Sequence, residues 1–164
     1  YFIIQGFNGA AISFIAQNYG AGKLDRVHRV FWICMGLSVL FCGTFNIIFA
    51  TWSDFFLNFF SETSGVHQYG RIRMHIVLAL QFLACSYEIA GSSMRGMGWS
   101  LTPAVLTIFG TCLLRIVWVY FITPQWGSFN VLMLVYPVSW LLTGSMVVIA
   151  YWLVVRRKRK PMTA

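Results

Sequence analysis

Long apolar runs, separated by short polar clusters, organise this chain. Phe31 to Ser53 supplies 23 consecutive uncharged residues and Val131 to Val155 supplies 25. A bilayer core needs about 20 apolar residues per helix. Ile72 to Met94 is broken only by Arg73, His75 and Glu88, and Pro103 to Thr123 only by Arg115. Tyr1 to Asn18 is shorter and more polar, carrying Gln5, Asn8, Gln17 and Asn18, and reads as the end of a helix that began upstream. The pattern predicts an all-α integral membrane protein with five transmembrane helices, at about 1–18, 31–53, 72–94, 103–123 and 131–155, and a basic tail at 156–164. The chain starts at Tyr1, already inside apolar sequence, so a piece lacking its N-terminal part is expected.

Composition sharpens this. Apolar residues make up 59% of the chain and charged ones 10%, against roughly 25% charged in soluble domains. The net charge of +8 does not point to nucleic acid, because of where the charge lies. Five basic residues form the run Arg156-Arg157-Lys158-Arg159-Lys160 directly after an apolar helix. Such a cluster reads as a cytoplasmic stop that contacts anionic lipid. Alternating the loops puts Lys23, Arg26, Arg29, Arg95 and this run on one side, and Arg71 and Arg73 with Asp54 and Glu62 on the other. The positive-inside rule then makes the first side, with the C-terminus, cytoplasmic.

Between Asp54 and Gly70 the run Phe55-Phe56-Leu57-Asn58-Phe59-Phe60 reads either as a segment lying in the interface or as a frayed end of the preceding helix, with a turn at Ser61–Gly65 after it. Cys34, Cys42, Cys85 and Cys112 all sit inside apolar segments with no CxxC and read as small packing residues. Gly20-Ala21-Gly22-Lys23 lacks the spacing of a phosphate-binding loop, and Gly96-Met97-Gly98 lacks the third Gly of a dinucleotide fingerprint. Both read as tight turns. No HExxH, paired carboxylates or Ser–His arrangement is present, so no enzyme is expected.

The ionisable residues inside spans carry the candidate chemistry, since such groups are expensive in hydrocarbon. Glu88 lies two helical turns, about 10 Å, before Arg95, and Arg115 lies roughly 18 Å past Pro103 on the next helix. Spacing therefore places Arg115 within reach of Glu88 if the helices pack face to face. Two roles stay open for Glu88: a cavity-facing carboxylate for a cation or proton, or one half of a structural ion pair with Arg115. Gln5, Asn8 and Gln17 are candidates to line a cavity or to bond across helices. Gly6, Gly9, Ala10 and Ser13 give the first helix a small-residue face. His75 reads as an outer-rim histidine, and Pro137 is expected to kink the last span or free a carbonyl.

Three motifs together resemble a known family. Asn8-Gly9, then Gln17-Asn18-Tyr19-Gly20-Ala21-Gly22-Lys23 with Arg26 and Arg29, is similar to a helix end of multidrug and toxic compound extrusion (MATE) transporters. Gly91 to Pro103, with Arg95, Gly96 and Gly98, resembles that family's cytoplasmic turn. Arg115-Ile116 with Tyr120, and Tyr136-Pro137 near Trp140, resemble its last two helices. The resemblance implies a twelve-helix, two-lobe transporter of which this chain is helices eight to twelve, the missing N-terminal lobe being its partner. It implies cation-coupled antiport of small amphipathic cations across a bacterial inner membrane, driven by sodium or protons, with no other cofactor. A flippase for lipid-linked precursors, from the same superfamily, is the alternative. The resemblance implies an acid in the tenth helix, but its slot falls near Ala84, one turn from Glu88, so Glu88 departs from the family's position and is a candidate only.

Overall fold

The computed structural model describes residues 1–60 and 64–159. Among these residues the chain is helical throughout, with no strand. It comprises α1 (Phe2–Gly20), α2 (Leu24–Thr51) and the short α3 (Ser53–Phe60). Next comes a rod spanning Gly65–Gly96, in which α4 (Ser64–Arg73) passes through a π turn, Met74–Leu78, and a 3₁₀ turn, Gln81–Leu83, into α5 (Ala84–Gly96). A second rod, Leu101–Trp126, holds α6 (Leu101–Thr107), α7 (Leu114–Val117) and α8 (Thr123–Trp126), with π turns at Ile108–Leu113 and Trp118–Ile122 between them. The last helix, α9 (Phe129–Arg159), runs through Pro137 without a break. Proline still leaves the carbonyl of Met133 without its usual N–H.

Among the described residues, four helices are long and apolar enough to cross a membrane: Leu24–Thr51, Gly65–Gly96, Leu101–Trp126 and Phe129–Arg156. The 19-residue α1 is not among them; its polar residues dilute it. The chain is thus an all-helical membrane protein, with α1 a full helix beside four spans. The span from Phe31 in fact belongs to a helix that starts at Leu24, so Asp25, Arg26, His28 and Arg29 lie on its first two turns. Glu62 and residues 61–63 of the expected Ser61–Gly65 turn lie outside the described residues, as does the tail from Lys160 onward.

The fold centres on α5, which packs against α1, α2 and α9, while the rod Leu101–Trp126 leans on α9 from outside. Few residues of that rod are buried. On α1 the buried positions are Ile4, Asn8, Ala11 and Ile15, spaced by three or four residues so that they form one stripe. Ala11 and Ile15 join Phe31 and Cys34 of α2, Ile89, Ala90 and Met94 of α5 and Val147 and Tyr151 of α9 in one core. The Phe31 and Tyr151 rings stack there with centroids 4.1 Å apart. Because Phe31 is near the start of α2 and Tyr151 near the end of α9, the α1–α2 turn and the C-terminal end of α9 share one end of the bundle, here called the basic end.

Where α3 begins, Trp52 breaks the helix (φ −99°, ψ 33°), so the phenylalanine run is a separate helix and not a frayed end. Phe56 tucks against Phe49, centroids 4.4 Å apart, while Phe55 and Phe59 are exposed. Arg71 of α4 clamps Asp54 of α3 at 2.6 Å. Cys34, Cys42 and Cys85 are buried free thiols and Cys112 is an exposed one.

Candidate cation site and its surroundings

Asn8 and Glu88 are eighty residues apart in sequence, yet Asn8 Nδ2 donates to Glu88 Oε2 at 2.7 Å. Parallel packing of α1 and α5 brings this about. Gly96 ends α5 so closely against α1 that an added Cβ would lie 2.9 Å from the Ile12 carbonyl oxygen and 3.2 Å from Ile15. Two turns earlier on each helix, the same packing sets Asn8 against Glu88. Asn8 is 4% exposed; Glu88 is half-buried. A bond of that length to a carboxylate is charge-assisted, roughly twice as strong as a neutral one.

The amide orientation follows from its neighbours. Nδ2 also faces Gln5 Oε1 at 3.5 Å, so both acceptors meet the amide nitrogen. The amide oxygen, Asn8 Oδ1, is buried with no partner. The Glu88 carboxylate is a hard oxygen donor, the kind an alkali cation or a proton would use. No group of three or more His, Cys, Asp or Glu comes together among the described residues.

The other sequence candidates divide. Gln5 is exposed and touches the site only through Asn8. Gln17 lies on the exposed face, with Nε2 facing Ser13 Oγ at 3.5 Å, well away from Glu88. Ala84, the position where the family resemblance put an acid, is buried with Cys42, Cys85, Ile4 and Trp140 and has no polar group to contribute.

Arg115 is not joined to Glu88. Its Nε and Nη2 both donate to Ser139 Oγ at 3.2 Å, and its guanidinium carbon lies 4.6 Å from the Tyr136 ring centroid. Beyond its first turns the rod Leu101–Trp126 packs mainly on α9, and the acceptor and ring that Arg115 meets belong to α9. Arg115 has no carboxylate within 4 Å among the described residues. Of the two roles left open for Glu88, the ion pair with Arg115 is not formed: Glu88 bonds Asn8 and Arg115 bonds Ser139. Ser139, fully buried and itself donating to the Tyr136 carbonyl at 2.8 Å, carried no sequence signal of this role.

In the turn motif the conserved-looking spacing serves packing. Arg95 is exposed and donates to Ser92 Oγ at 2.8 Å. Gly98 takes φ +86° while Trp99 N–H bonds back to the Met94 carbonyl at 2.9 Å, a glycine-closed helix end. Pro103 is fully buried against Gly91, where a Cβ would be 3.4 Å away. His75 is exposed, its Nδ1 2.9 Å from the Arg71 carbonyl oxygen.

The geometry describes polar sites set in an apolar bundle; a comparison identifies the bundle. The profile of the MatE family matches residues 1–121. The chain belongs to this MATE family of membrane transporters. That match takes in α1, both residues of the Asn8–Glu88 pair, the turn motif and Arg115, and stops before α9. No curated protein and no solved structure gives a significant match.

Proposed function

We propose that the chain is part of a secondary multidrug antiporter that exports small amphipathic cations in exchange for sodium or protons, with Glu88 as a coupling group. The observation that carries this is the half-buried Glu88 carboxylate, held by a single neutral donor, Asn8 Nδ2. Charge in a span is costly unless it is partnered or used. Here the partner is an amide, which satisfies one carboxylate oxygen and leaves the charge uncompensated. A cation or proton at Glu88 neutralises it, and substrate cations compete for the same charge. Alternating occupancy then favours different arrangements of α1 against α5 through differential affinity. The basic end, with Lys23, Arg26, Arg29, Arg95 and Arg156, faces the cytoplasm of a bacterial inner membrane in this reading.

A second reading has one observation in its favour. Arg115 is a guanidinium within a span without a carboxylate, which suits an anionic cargo such as a lipid-linked precursor. Gradient-driven efflux from cells expressing the full-length protein separates the two. Ethidium export that needs a sodium or proton gradient supports the antiporter. No export from protein shown to be inserted, together with translocation of an anionic lipid, supports the flippase.

A further inference from the structure

The rod Gly65–Gly96 loses its regular pitch between Met74 and Leu83, where a π turn (Ala79 N–H to the Met74 carbonyl, 3.0 Å) gives way to a 3₁₀ turn (Leu83 N–H to the Leu80 carbonyl, 3.0 Å). Irregular backbone at membrane depth persists where it is buried in protein or lines a cavity. Here it lines one. A cavity of about 340 Å³ opens at this break, walled by Leu57, Gly70, Arg73, Val77, Leu78 and Gln81. That volume is at the lower end of the range for small-molecule sites.

Two features hold its outer wall in place. The Asp54–Arg71 ion pair ties α3 to α4, and Leu57 of α3 presses onto Gly70 so closely that an added Cβ would be 2.6 Å from Leu57 Cδ2. The walls are mainly aliphatic. At the mouth stands Arg73, exposed and with no carboxylate within 4 Å among the described residues. Beside the mouth, Phe55 and Phe59 of α3 are 71% and 84% exposed, as expected of a helix resting at the headgroup boundary. A cation at the headgroup level over an aliphatic slot matches one kind of molecule in charge and polarity.

We propose that this cavity is a lipid site: one acyl chain of an anionic phospholipid enters between Leu57 and Val77–Leu78, and its phosphate rests on Arg73. The site is distinct from the Asn8–Glu88 pair and does not depend on the transport reading. Arg73 supplies the charge-assisted contact, bidentate where the geometry allows. The chain wedges the π turn against α3. Lipid occupancy thereby stiffens the one irregular stretch of the helix that carries Glu88.

The test is lipid retention by the full-length protein, purified in mild detergent with phosphatidylglycerol or phosphatidylcholine and read by native mass spectrometry. Phosphatidylglycerol should be retained over phosphatidylcholine, and Arg73→Gln should lower its retention about fivefold, the effect of one basic group at an anionic surface. Arg73→Lys should restore part of it, and Arg26→Gln, an equal change of charge at the basic end, should leave it unchanged. Val77→Trp should remove retention by filling the slot. Gln81→Leu should leave it unchanged or raise it. Equal loss in Arg73→Gln and Arg26→Gln would reduce the effect to diffuse charge and overturn the site. Full retention in folded Val77→Trp, or loss in Gln81→Leu, would overturn the acyl-chain assignment. If Val77→Trp does not fold, the Arg73 and Gln81 variants decide.

Discussion

A double-mutant cycle on Asn8 and Glu88 tests whether their contact couples α1 to α5. Asn8→Leu keeps the branched shape of the side chain and removes the 2.7 Å donor. Glu88→Met keeps the chain length and removes the acceptor. Neutral interhelical hydrogen bonds in membranes contribute about 0.6 kcal/mol on average, whereas a bond to a charged group contributes about 1.5–3 kcal/mol. The contact is short, its donor is 4% exposed and its acceptor is a carboxylate. A coupling energy of about 1.5 kcal/mol or more is therefore expected, at or above the upper end of what membrane cycles have given. The assay is unfolding of the four proteins by denaturing detergent, with the coupling taken as the non-additive part. Additivity within about 0.5 kcal/mol would refute the claim that this contact joins the helices.

Gly96→Ala would place a Cβ 2.9 Å from the backbone carbonyl oxygen of Ile12, and overpacking of this kind typically costs about 1–3 kcal/mol. A lower melting temperature is expected, whereas Gly9→Ala, whose Cβ meets nothing within 4 Å, should not lower it; thermal unfolding of both checks this. Gly110→Ala should destabilise for the same reason, since its Cβ would lie 3.1 Å from Thr143 Cα on a residue fixed by its own bond to the Ser139 carbonyl. Arg115→Lys should lose much of the folded stability that Arg115 gives, because a compact ammonium cannot reproduce the planar fork on Ser139 and the stack on Tyr136. A Lys variant as stable as wild type would show that charge alone matters there.

Much of the fold was legible because uncharged runs longer than a bilayer is thick admit few alternatives. The spans at 72–94, 103–123 and 131–155 fall within helices whose ends lie a few residues farther out, whereas 31–53 overruns α2, which ends at Thr51 where Trp52 breaks it. The start of α2 was not legible: Asp25, Arg26, His28 and Arg29 look like a loop by hydropathy, yet they occupy helical turns at the basic end. Nor were the π turns at Met74, Ile108 and Trp118, since apolar residues fit a wide turn as well as a regular one.

At the site, the importance of Glu88 was visible from its cost in a span, but its partner was not. Reach along neighbouring helices favoured Arg115, twenty-seven positions away by number. The structure instead joins Glu88 to Asn8 through the parallel packing of α1 and α5 that Gly96 permits. Ser139 was hidden for a related reason: a serine in an apolar helix carries no periodic signal, and it matters only because a tilted rod brings Arg115 to it.

The most direct test of the central claim is ethidium efflux by the full-length protein, wild type beside Glu88→Gln, under imposed sodium and proton gradients with membrane insertion verified. The account predicts gradient-dependent efflux in wild type and its loss in the variant. Efflux of equal rate and equal gradient dependence in Glu88→Gln would contradict a coupling role for Glu88 and leave its bond to Asn8 a purely structural contact.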